Sequence, residues 1–175
     1  VYAFDALKPG EVQPTPELDI PSNPEPGSNP DDGVPALRLT WRFDCDPTAP
    51  KENIHDYIRN RRESPSNIKS MPVFDDNRVF VTVGGDIWWG KMQAWLQCID
   101  ATQTGDITDT GLVWSYPVER HCCSTPAIHD GLAYVADCAG NVHCVDIQTG
   151  RGLWVHDAGN EIWASTLVAD GKVYI

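Results

Sequence analysis

Short apolar runs alternate with tight polar turns through most of the chain, and the runs recur in a fixed order. Asp76-Asn77-Arg78-Val79-Phe80-Val81, Asp130-Gly131-Leu132-Ala133-Tyr134-Val135 and Asp170-Gly171-Lys172-Val173-Tyr174-Ile175 each read as a turn opening a strand. Asp-Gly and Asp-Asn supply the positive φ that a tight hairpin demands. A short strand led by serine precedes each turn: Ser70-Met71-Pro72-Val73, Ser124-Thr125-Pro126-Ala127 and Ser165-Thr166-Leu167-Val168. A further pattern is a strand, an Asp and a polar turn ending in Gly, at Val1–Gly10, Leu96–Gly105 and Val142–Gly150. After it comes a strand carrying tryptophan, at Leu39-Thr40-Trp41, Leu112-Val113-Trp114 and Gly152-Leu153-Trp154.

One repeat is therefore four strands joined by turns, in its shortest form at residues 124–157. Ser124 and Ser165 are 41 residues apart, the spacing of four-stranded propeller blades. The strands are apolar on both faces, as in Ala133-Tyr134-Val135-Ala136, which suits sheets packed between two neighbours. No amphipathic helix separates them, which excludes an alternating α/β fold. The expected fold is all-β, a β-propeller of four-stranded antiparallel blades. The chain holds about two complete blades and two partial ones. Residues 1–46 end one blade and carry a Pro-rich insertion at 11–36. Residues 47–67 form a second insertion, 68–118 and 119–157 are blades, and 158–175 start the next. Both ends read as cut, since the last residues stop inside an apolar strand; the expectation is a piece of a longer propeller.

The insertions break the rhythm. Residues 11–36 hold 7 Pro and 6 acidic residues with no Lys or Arg, a composition that cannot bury enough surface to fold alone. In the second, Ile54, Tyr57 and Ile58 share one helical face, which predicts one or two helical turns. Arg59, Arg61 and Arg62 beside them read as a solvated face. A loop between strands carries Trp88 and Trp89, which either line a ligand site or pin the loop to the body.

Composition narrows the function classes. The chain has 175 residues, 41% hydrophobic and 22% charged, and a formal net charge of −12. That balance argues against nucleic acid and anionic lipid as partners, because both are bound through basic patches. No apolar run reaches the roughly 20 residues of a membrane-spanning helix.

Cys144-Val145-Asp146-Ile147-Gln148-Thr149-Gly150-Arg151-Gly152-Leu153-Trp154 resembles the pyrrolo-quinoline quinone (PQQ) type β-propeller repeat, with weaker copies through Ala3-Asp5-Gly10 and Cys98-Asp100-Thr104-Gly105. Such repeats occur in quinoprotein alcohol dehydrogenases and in BamB-type envelope lipoproteins. The resemblance implies a propeller of eight blades, a periplasmic, cell-envelope or secreted location, and a blade-docking role for Trp41, Trp114 and Trp154. It implies PQQ with Ca²⁺ as the cofactors of a dehydrogenase.

Few residues carry candidate chemistry. Cys98 and Cys144 occupy the repeat slot of Ala3, which wants a small buried residue. Of the six cysteines none forms Cys-x-x-Cys, and His143 and Cys144 point to opposite strand faces, so no metal site is expected. Adjacent Cys122 and Cys123 can close a strained vicinal disulfide in an oxidising compartment, or can be two small thiols at the start of a strand. In quinoprotein dehydrogenases such a pair lies over the PQQ ring, and the resemblance makes Cys122 and Cys123 the candidate cofactor contacts. No catalytic residue is assigned. Asp5, Asp100 and Asp146 recur as turn-capping carboxylates. A regular repeat without a complete active site favours a non-catalytic domain that binds a protein or small-molecule ligand on its loop face. The alternative is a PQQ- and Ca²⁺-dependent alcohol or sugar dehydrogenase.

Overall fold

Asp76 and Asn77 both take positive φ, 42° and 60°, and so close the hairpin between β3 (Val73–Asp75) and β4 (Arg78–Gly84). Asp130 and Gly131 do the same, at 47° and 76°, between β8 (Ala127–His129) and β9 (Leu132–Ala136). Asp170 and Gly171, at 49° and 66°, join β12 (Leu167–Ala169) to β13 (Lys172–Tyr174). Positive φ at both central residues is the turn whose twist matches that of the strands it joins.

The computed structural model describes residues 1–4, 39–57, 59–86, 88 and 90–175. The Pro-rich insertion at 11–36, the turn at Asp5, Ile58 and Trp89 lie outside the described residues. Two four-stranded antiparallel sheets form the body. One runs β3-β4-β5-β7, with β5 at Ala94–Asp100 and β7 at Leu112–Val118. The next runs β8-β9-β10-β11, with β10 at Asn141–Asp146 and β11 at Gly152–Asp157. The β12–β13 hairpin follows. Before them, β1 (Tyr2–Phe4) pairs antiparallel with β2 (Leu39–Arg42), and β2 pairs in parallel with β6 (Gly105–Asp106). That parallel strand departs from the all-antiparallel expectation. The turn after β5 reaches across to the preceding sheet, and Ile107 N–H donates to the Arg42 carbonyl at 3.0 Å.

The repeat is physical as well as textual. Ala3 lies opposite Trp41, Cys98 opposite Trp114 and Cys144 opposite Trp154, and in all three pairs the register shifts one residue later. A small residue facing an indole leaves room for the ring, and after Cys98 and Cys144 the bulge swings the following Asp into its turn. Asp100 Oδ1 then accepts from the N–H and hydroxyl of Thr102, and Asp146 Oδ1 from the N–H groups of Gln148 and Thr149.

The sheets stack face to face, as propeller blades do. Phe80, Leu96 and Cys98 from one sheet meet Val135, Val145 and Ile147 from the next. Val81, Val83 and Ile99 cover the other face against Trp41 and Phe43. The leading segments of successive sheets are joined by hydroxyls: Met71 N–H donates to Thr125 Oγ1 at 3.1 Å and Thr125 N–H to Ser165 Oγ at 3.0 Å. In the second insertion Ile54–Tyr57 forms one 3-10 turn, and Ile54 is exposed. The expected helical turn is thus present, with Tyr57 half-buried.

Candidate functional site

Because the strands alternate in direction, every second connection falls at the same end of the sheets. The β4–β5 loop brings Asp86 and Trp88 there, and the β7–β8 link brings Arg120, His121, Cys122 and Cys123. The β9–β10 turn adds Asp137 and Cys138, and the β11–β12 link adds Glu161 and Trp163. These residues converge. The rings of Trp88 and Trp163 lie 5.7 Å apart, and the Trp163 ring stands 6.4 Å from His121, edge on. Trp88 is 60% exposed and Trp163 48%, so two neighbouring sheets present an open aromatic surface. Lys69 pairs with Asp86 at 2.8 Å and Arg120 with Glu161 at 3.5 Å. Gly140 (φ 99°) allows the β9–β10 turn to approach Asn160, since a Cβ there would sit 2.6 Å from the Asn160 carbonyl oxygen.

Asp137 organises the buried side of this end. Its carboxylate is fully buried and accepts from the N–H groups of Glu119, Ala139 and Asn141 at 2.9–3.1 Å. His143 Nε2 lies 3.1 Å from it, and His143 Nδ1 lies 3.2 Å from the Tyr116 hydroxyl. Burial pushes the Asp137 carboxyl up, but the His143 bond and the backbone N–H groups outweigh burial and hold it below the usual range. The Tyr116–His143–Asp137 chain links two sheets, with Asp137 and His143 buried and Tyr116 half-buried, so its geometry serves as a clamp.

Cys122 and Cys123 point different ways. The Cys122 thiol enters the core between the two sheets and donates to the Ala136 carbonyl at 2.8 Å; burial pushes it up to about 12. Cys123, half-buried, turns toward His121 and Cys138. All six cysteines are free thiols, so the vicinal bond allowed by the sequence is not formed here. The donor atoms of His121, Cys123 and Cys138 all lie within 4.8 Å of one another, although the lack of a Cys-x-x-Cys and the opposite strand faces of His143 and Cys144 predict no metal site. The sequence signal was weak because a hairpin, not a Cys-x-x-Cys spacing, unites residues 123 and 138. His121 Nε2 is buried with no hydrogen-bond partner among the described residues. Burial, then the Lys69 and Arg120 charges, lower the imidazole to about 4, so it is neutral at pH 7.

A PQQ–Ca²⁺ site would need hard oxygen donors for the cation. Among the described residues, the gathered donor set is His121, Cys123 and Cys138, whose sulfurs suit Ca²⁺ poorly. That cluster suits a softer cation than Ca²⁺.

The three tryptophans occupy like positions with different surroundings. Trp41 is 3% exposed and lies beside Gly105 of the next turn. Trp114 Nε1 donates to the Ile147 carbonyl at 2.9 Å, and the ring covers Gly150. Trp154 is 44% exposed and touches Tyr134, with ring centroids 6.0 Å apart.

A cleft of about 660 Å³ opens beside Val1, Asp44, Asp46 and Asp106. Three of its carboxylates are in ion pairs, Asp106 with Arg42 at 2.6 Å, Asp44 with Lys51 at 2.8 Å, and buried Asp46 with Lys91, while Asp109 also lines the cleft. No helix among the described residues is long and apolar enough to cross a membrane.

No protein-family model matches the chain. Part of it is similar to a quinohemoprotein alcohol dehydrogenase of Comamonas testosteroni, 36% identical over 61 residues, which is 34% of this chain and 9% of that protein. It is also similar to a 1-butanol dehydrogenase (cytochrome c) of Thauera butanivorans, 41% identical over 51 residues, 28% of this chain and 7% of that protein. The chain thus matches less than a tenth of the length of either relative. Among solved structures, the quinohemoprotein alcohol dehydrogenase ADHIIG of Pseudomonas putida HK5 aligns at TM-score 0.48 and 19% identity, over 61% of this chain and 16% of that one. By its own strand topology the chain is an all-β array of stacked four-stranded antiparallel sheets, and about a third of it is similar in sequence to quinohemoprotein alcohol dehydrogenases.

Proposed function

We propose that the chain belongs to a PQQ-like propeller that acts as a non-catalytic binding or scaffold domain of the bacterial cell envelope, in the manner of BamB-type proteins. The supporting observation is the divergence of Cys122 and Cys123. One thiol is spent in the core against Ala136 and the other faces His121 and Cys138, so they do not form a joined platform for a quinone. The binding surface in this reading is the aromatic end of the sheets, where Trp88 and Trp163 stand exposed and adjacent. An indole pair held on rigid loops offers a large contact area at low entropic cost, which suits a protein or small-molecule ligand.

The second reading is a PQQ- and Ca²⁺-dependent alcohol or sugar dehydrogenase, favoured by the 36% identity to a quinohemoprotein alcohol dehydrogenase over 61 residues. Titration of the purified protein with PQQ and Ca²⁺, followed by dye-linked alcohol oxidation, separates the two. The binding-domain reading expects neither saturable quinone binding nor turnover. Saturable binding with turnover would replace it by the dehydrogenase.

A further inference from the structure

We propose that His121, Cys123 and Cys138 form a binding site for a thiophilic divalent cation, Zn²⁺, at the loop end of the two stacked sheets. The residues come from two connections, the β7–β8 link and the β9–β10 turn, and their donor atoms already lie within 4.8 Å of one another. In a tetrahedral zinc site with Zn–S bonds of about 2.3 Å, donors stand roughly 3.8 Å apart, so closure needs shifts of about 1 Å or less. The connections are tied together in a way that holds the donors near this arrangement. Cys138 N–H donates to the His121 carbonyl at 3.1 Å, and the Cys138 thiol lies 3.4 Å from the Ile162 carbonyl.

A second and independent observation is the state of the histidine. His121 is 4% exposed, and its Nε2 has no hydrogen-bond partner among the described residues. A buried ring nitrogen without a partner costs about 1–3 kcal/mol, a penalty that coordination of a cation through Nε2 would remove. The surrounding charges permit a cation. Lys69 and Arg120, the nearby cations, are paired with Asp86 and Glu161, and the Asp137 carboxylate precedes Cys138 in the chain. Two thiols and one imidazole form the soft donor set that selects Zn²⁺ over Ca²⁺ or Mg²⁺, with a fourth position left for water or a ligand.

Binding is balanced as one Zn²⁺ replacing two thiol protons, which are released to solvent; the imidazole donates its lone pair and no electron transfer occurs. The site lies beside a built-in reporter, because the Trp163 ring is 6.4 Å from the His121 ring.

The test is titration of the reduced full chain with Zn²⁺ against a chromophoric chelator, with Co²⁺ as a spectroscopic probe. The expected result is one equivalent bound per chain, about two protons released, a thiolate-to-Co²⁺ charge-transfer band and a change in tryptophan fluorescence. C123S, at the half-buried position, should weaken Zn²⁺ binding at least about 100-fold, because even an outer-shell partner can be worth that much. C45S, in a different part of the fold, should leave it unchanged. Circular dichroism establishes that each variant is folded before titration. Three outcomes would overturn the site: a folded, reduced wild type that binds no Zn²⁺, equal binding by wild type and C123S, and a Cys123–Cys138 disulfide that reduction does not convert into a Zn²⁺-binding form.

Discussion

The Trp114 indole N–H and an Arg78 guanidinium N–H both donate to the Ile147 carbonyl, each at 2.9 Å, so that one peptide oxygen of the second sheet is gripped by two side chains of the first. Ile147 is itself buried in the core that the two sheets share. The contact joins apolar burial to a directed bond, which fixes where along the neighbouring sheet the tryptophan docks.

Trp114→Ala should therefore cost about 3–5 kcal/mol, the range for removing a well-packed large aromatic. Trp114→Phe, which keeps most of the apolar area and loses the bond, should cost about 1 kcal/mol beyond the change in size. Trp154→Ala should cost less than about 1.5 kcal/mol, because that ring is 44% exposed. Urea unfolding midpoints measure all three. Equal losses at Trp114 and Trp154 would mean that docking against Ile147 and Gly150 contributes little.

Gly150 can be separated from the other positive-φ glycines. At φ 71° a Cβ on Gly150 would lie 2.7 Å from the Trp114 ring, whereas at Gly159 (φ 81°) it would meet nothing within 4 Å. Gly159→Ala should lose only the backbone term, about 1–2 kcal/mol. Gly150→Ala should lose that plus about 1–3 kcal/mol from displacement of the indole. Thermal melts of the two variants give the comparison, and matching melting points would sink the steric part of the argument.

The local chemistry of the chain was readable and its long-range pairings were not. Asp76-Asn77, Asp130-Gly131 and Asp170-Gly171 announce their hairpins because a turn is specified by its own two residues. That Ala3, Cys98 and Cys144 share one repeat slot was legible too, whereas their cross-strand pairing with Trp41, Trp114 and Trp154 shows only in the register. The parallel pairing of Gly105–Asp106 with β2 was hidden, because it joins residues 64 apart and depends on how two sheets stack. Asp137, His143 and Tyr116 carry no motif, and only the meander brings them into line. At the site the cysteines and His121 were visible in one blade, but the approach of Cys138 to Cys123 was not, because it depends on how the β8–β9 hairpin folds back.

Asp46 predicts an acid transition. It is buried and bonded to Lys91, Ser66 and Thr48. Burial alone pushes its carboxyl up; those hydrogen bonds and the Lys91 charge outweigh burial and hold it at about 2, against 3.8 ordinarily. A carboxyl lowered in the folded state adds stability that is complete above the unfolded value and is lost as pH falls through the folded one. About 2 kcal/mol should disappear between pH 4 and pH 2. Asp46→Asn should flatten that part of the stability–pH curve, although it weakens the protein at neutral pH by leaving Lys91 buried without its counter-charge. A variant curve as steep as the wild type in this window would assign the acid loss elsewhere.

Thiol reactivity bears directly on the choice between the two functional readings. In the reduced, metal-free protein Cys123 is the half-buried thiol, while Cys45, Cys98, Cys122, Cys138 and Cys144 are buried. Burial also pushes Cys45 and Cys98 up to about 11 and Cys122 up to about 12, so these present almost no thiolate at pH 8. Brief alkylation under native conditions should label Cys123 well before the others, as read by peptide mass spectrometry. Zn²⁺ should protect it. Recovery from unreduced protein of an unlabelled peptide with Cys122 and Cys123 joined would show that the core position of the Cys122 thiol can be vacated. It would then restore the platform that a quinone requires, and the dehydrogenase reading would take precedence.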